Sequence, residues 1–114
     1  MQYSEIKLKV GLNEHKIPAD IKWLATDSER SQFTDCKAFN LSIWDPVEAN
    51  SLSINLWTDN MQTDEMHSFF FRSLIQMSES YQRATANPFV KDMMNQMVTD
   101  LIKKTADWEN NKEK

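Results

Sequence analysis

The sequence predicts an α+β domain of order ββββαα, a four-stranded antiparallel sheet in meander order with two antiparallel C-terminal helices packed on one face. Three observations predict it. Four short runs in the first half alternate apolar and polar residues with a period of two, and in the second half apolar residues recur every three or four positions through two long runs. The connections between the runs are short and polar, and a sheet with one aliphatic face needs a second layer to cover that face.

Residues 3–10 give the first strand, with Ile6, Leu8 and Val10 on one face and Glu5, Lys7 and Lys9 on the other. Gly11 to Pro18 is then the first turn. Ile21, Trp23 and Ala25 line one side of a second strand, which ends in the turn-forming Asp27-Ser28-Glu29-Arg30-Ser31. Phe39, Leu41 and Ile43 line a third strand and Leu52, Ile54 and Leu56 a fourth. Pro46 cannot donate to a ladder, so Asp45 to Asn50 is the loop between them.

Thr63 is the expected N-cap of the first helix, followed by Asp64 and Glu65, whose charge suits the positive end of a helix dipole. Met66, Phe70, Leu74, Met77 and Tyr81 form its apolar stripe, and the helix is expected to end near Thr85. Phe71 and Ile75 lie off that stripe and widen the apolar arc beyond what a sheet covers, so either the second helix or a second subunit meets them. Asn87 as cap and Pro88 at the first helical position start helix two, whose apolar face runs from Phe89 to Trp108. The expected domain is residues 1–108, with a frayed tail over 109–114.

Composition bounds the function. At 114 residues the chain buries roughly two thirds of its unfolded surface as one domain, with no metal or disulfide required. The 13 Lys and Arg are outnumbered by 17 Asp and Glu, and no basic run is interleaved with aromatics, which argues against a nucleic-acid partner. The start MQYSEIKLKV lacks a signal-peptide pattern and no stretch is apolar enough to enter a membrane, so the expected location is the cytoplasm.

Reaction chemistry finds little support. The only glycine, Gly11, excludes phosphate-cradling loops, which need at least two. His15 and His67 stand in no metal-ligand spacing, and with Cys36 as the only cysteine no Cys-based zinc site or internal disulfide forms. Cys36 reads as a small hydrophobe or edge residue, with a Cys–His pair as the one surviving enzymatic arrangement. No catalytic residue, cofactor or metal is expected. The methionines at helical spacing read as core filler, unless the helices are exposed.

Within LSIWDPVEANSLSINLW, residues 41–57, two alternations each end in a tryptophan on the face otherwise made of Ser and Asn. Trp44 and Trp57 therefore belong at opposite ends of one outer face, where large aromatics either shield strand ends or meet a partner. With Phe71 and Ile75 they are the candidate partner-binding residues.

Four blocks carry a likeness: Ala25-Thr26-Asp27-Ser28, Leu41-Ser42-Ile43-Trp44-Asp45-Pro46, Ile54-Asn55-Leu56-Trp57-Thr58, and Thr63-Asp64-Glu65-Met66 leading to Phe69-Phe70. In this order and spacing the chain resembles the GldC family of gliding-motility-associated proteins of Bacteroidetes, over roughly residues 3 to 86. The resemblance implies a small cytoplasmic accessory protein without enzymatic activity or cofactor. It offers no catalytic residues to carry over, and the leading expectation is a non-enzymatic protein that acts through protein contacts with the gliding apparatus, a homodimer being a further possible assembly. The order ββββαα also occurs in the export chaperone SecB, so the alternative expectation is a chaperone for export clients of the gliding or secretion machinery.

Overall fold

A computed structural model describes residues 1–112, which form two compact units, one ending at Gln62 and the other beginning at Thr63. The first holds five strands: β1 (Ile6–Leu12), β2 (Pro18–Ala25), β3 (Thr34–Cys36), β4 (Ala38–Asp45) and β5 (Asn50–Trp57). The second holds α1 (Thr63–Thr85) and α2 (Pro88–Lys112). The α+β class and the two C-terminal helices are as expected. The single four-stranded sheet is not: β1-β2-β3 form one antiparallel sheet and β4-β5 another.

The departure has a local cause at Lys37, where the chain bends between β3 and β4. Past Ile21–Cys36 a continued ladder would set Lys37 opposite Asp20 and Phe39 opposite Pro18, which has no N–H to give. Asp59 N–H donates instead to the Pro18 carbonyl at 2.9 Å, and Thr58 N–H donates to the Lys37 carbonyl at 2.8 Å. The end of β5 thus closes the gap between β2 and β4, and the strand that left β2 pairs with β5.

In the larger sheet, Val10 pairs with Ile21 and Ile21 with Cys36, while Leu8 pairs with Trp23. The predicted apolar sets of the first two strands therefore share one face, and Ile21 at the centre of the middle strand is fully buried. The expected Gly11–Pro18 turn is shorter. Gly11 and Pro18 are both strand residues, and the reversal is made by Asn13 to Ile17, where the Asn13 side chain accepts from the His15 and Ile17 amides. Gly11 is needed for close approach: a Cβ there would stand 3.3 Å from the Cβ of Asp20, its ladder partner.

The helix starts lie within a residue of those expected. Thr63, the expected cap, is itself the first helical residue of α1, with Asp64 and Glu65 in its first turn. The Asn87 side chain accepts from Phe89 N–H at 3.1 Å, capping α2 just before Pro88. α2 continues through Lys112; the last part of the expected frayed tail, Glu113 and Lys114, lies outside the described residues. Ser78 and Val98 are the buried residues of the two helices.

Three left-handed backbone positions carry side chains: Lys16 (φ 61°), Ala49 (φ 52°) and Ala86 (φ 59°). Ala49 closes the β4–β5 loop, in which Asp45 Oδ1 accepts from the Val47 and Glu48 amides. Ala86 ends α1, donating its N–H to the Gln82 carbonyl at 2.8 Å. A β-carbon in this conformation costs roughly 1–2 kcal/mol, offset in part by glycine's greater freedom when unfolded. Ala49→Gly and Ala86→Gly should each raise the unfolding free energy by about 0.5–1 kcal/mol in urea titrations. Gly11→Val should lower it by at least about 1 kcal/mol.

Candidate interaction surfaces

The β4–β5 ribbon pairs Ala38 with Trp57, Ser42 with Ser53 and Trp44 with Ser51. Directly opposed residues of an antiparallel pair share a face, so Trp44 and Trp57 lie on one side with Ser and Asn between them. Six residues of rise separate the two ends of that face, about 20 Å. Trp44 is 63% exposed and Trp57 50%. Trp57 also lines a shallow cleft of about 230 Å³ with Ile17, Pro18 and Asp59. On the opposite side Ile43, Leu52 and Ile54 are each more than half exposed. The ribbon therefore offers apolar groups on both faces.

Phe71 and Ile75 lie elsewhere. They line a groove of about 520 Å³ between α1 and α2, with His67 and Arg72 on the α1 side and Ile102 and Ala106 on the α2 side. At its end His67 Nε2 lies 3.3 Å from Glu109 Oε1, stacks on Phe71 at 6.0 Å and meets the edge of Trp108 at 6.3 Å. The ammonium of Lys112 covers Trp108 at 3.8 Å. This cluster ties the start of α1 to the end of α2. The four candidate residues thus form two separate surfaces, Trp44 and Trp57 on the ribbon and Phe71 and Ile75 in the helix groove.

The methionines depart from the core-filler reading. Met77, Met93 and Met97 are exposed, and Met66 and Met94 half-buried. Helical spacing revealed the stripe but not which side of it meets the neighbouring helix.

Cys36 is half-buried in β3, beside Leu8, Trp23, Ala38 and Phe39 in a cleft that contains no histidine. Burial pushes its thiol above the ordinary value, with the Asp35 and Asp20 carboxylates adding to the rise and the Ala38 backbone opposing it. A raised pKa leaves little of the nucleophilic thiolate at neutral pH. Among the described residues no three His, Cys, Asp or Glu side chains cluster as metal ligands. No described helix is long and apolar enough to cross a membrane.

The family profile for the gliding motility-associated protein GldC-like family matches residues 18–107, from the start of β2 almost to the end of α2. The chain belongs to the GldC-like family. The match takes in both ribbon tryptophans, the helix groove and most of α2, and begins after β1. GldC-like membership associates the chain with gliding motility. No curated protein and no solved structure matches it.

Cys36 in this GldC-like chain should alkylate with iodoacetamide several-fold more slowly than free cysteine at mildly alkaline pH, with its rate profile displaced to higher pH. A rate equal to that of free cysteine would contradict the burial described.

Proposed function

We propose that this GldC-like protein is a non-enzymatic cytoplasmic accessory factor of the gliding apparatus, acting through protein contacts made by the β4–β5 ribbon. One observation carries the reading: the ribbon exposes Trp44 and Trp57 on one face and Ile43, Leu52 and Ile54 on the other. A two-stranded ribbon is marginal in water by itself, and tryptophan at the ends of a polar face is the side chain most enriched where binding energy concentrates. The Ser and Asn residues between the tryptophans suit the backbone of an ordered partner better than a wholly apolar client.

Trp44 is mostly solvated and Trp57 half so, and Trp44→Ala and Trp57→Ala should each leave stability within about 1 kcal/mol of the parent. The double variant should lose co-purification of gliding-apparatus proteins from cells at least tenfold and reduce gliding speed. Unchanged capture and speed from a folded double variant would remove the ribbon from the mechanism. Suppressed aggregation of several unrelated unfolded proteins, lost in the same variant, would favour a SecB-like export chaperone instead.

A further inference from the structure

We infer that the chain forms a two-fold homodimer through the methionine-rich back of its helix hairpin, so that two hairpins make a four-helix arrangement. The inference is independent of the ribbon's role.

The His67–Glu109 contact fixes the antiparallel register of α1 and α2. Eleven residues further along each helix, Ser78 comes level with Val98, and these are the two buried positions of the helices. With 100° of rotation per residue, the groove of Phe71, Ile75 and Ile102 lies on one side of this seam. Phe70, Met77 and Tyr81 of α1 fall on the other side, as do Met93, Met97 and Trp108 of α2. These six side chains are between 38% and 72% exposed.

Six large apolar side chains at that exposure offer roughly 600 Å² of apolar surface, at the upper limit for one patch on a monomer. With the rim around them they approach the ~800 Å² per partner of a standard stable interface. Within the hairpin itself little is covered: of its described residues in helices of 23 and 25 residues, only Ser78 and Val98 are buried.

The rim points to a second copy rather than a foreign helix. Asp100 and Lys104 border a groove of about 360 Å³ along α2, lined by Met93, Gln96, Met97 and Leu101. Opposite charges one turn apart on one rim are self-complementary under a two-fold axis, because each copy sets its acid toward the other's base. Ser73 and Ser80 flank Met77 on α1 and leave gaps for side chains of a facing helix. Packed faces of this kind are how helix hairpins pair into four-helix bundles.

Sedimentation of the full chain at micromolar concentration should give twice its 13.4 kDa mass. The double substitution Met93→Glu, Met97→Glu should weaken self-association at least a hundredfold while leaving helical circular dichroism unchanged. In a Cys36→Ser background, Met97→Cys should give a disulfide-linked dimer on mild oxidation, whereas Thr99→Cys, on the opposite side of α2, should not. The cross-link decides the matter even where the glutamate variant fails to fold. A monomer at all concentrations overturns the inference, and so does a dimer that links equally well through Thr99→Cys. Trp44→Ala with Trp57→Ala should leave the dimer intact, which separates this interface from the ribbon's partner.

Discussion

Two backbone hydrogen bonds, from Thr58 N–H to the Lys37 carbonyl and from Asp59 N–H to the Pro18 carbonyl, govern the form of the first unit. They hold the end of β5 in the place where a simple meander would continue the ladder on β2. Thr58 is buried there, with its hydroxyl 2.7 Å from Asn60 Oδ1, so the closure is a solvent-shielded polar junction. Once it is made, the chain after Cys36 has to turn away and pair with β5. A ribbon with two accessible faces is the result, and the exposure of its tryptophans and aliphatic residues depends on it.

Much of the secondary structure could be read from the residues because local signals and tertiary demands agree. Asn87-Pro88 specifies a helix start by side-chain chemistry alone, and the alternation around Leu41 and Ile54 fixes faces because a slip of one residue would invert them. β3 was out of reach: three residues, Thr34-Asp35-Cys36, are too few for a periodicity. The sheet break at Lys37 was equally hidden, since the Lys37 and Pro18 carbonyls are taken there by the amides of Thr58 and Asp59, residues some twenty positions or more further along the chain. Gly11 misled for a related reason. Glycine most often marks a turn, but here it allows Asp20 to come close across a ladder, while Lys16, Ala49 and Ala86 take the left-handed positions.

The candidate surfaces divide in the same way. Trp44 and Trp57 lie at the two ends of one face, as their alternation required, because hairpin geometry leaves little choice. Phe71 and Ile75 were legible as residues off the main stripe, and α2 supplies the rest of their groove. The side from which the methionine stripe is approached was not legible, because spacing gives the angle between side chains but not the direction of the neighbouring helix. Cys36 sits among apolar side chains that favour its thiol form, and His67 serves the junction between the two helices.

The ribbon also has edges as well as faces. In a two-stranded sheet each strand has one long side outside the ladder, and Asn50–Trp57 is eight residues with no charge, proline or glycine. Such a segment templates strand addition readily, and the nearest acidic residues are Glu48 before it and Asp59 after it. An edge with these properties is where strand addition between copies of the chain would begin, and a single charge placed within Asn50–Trp57 would be enough to blunt it.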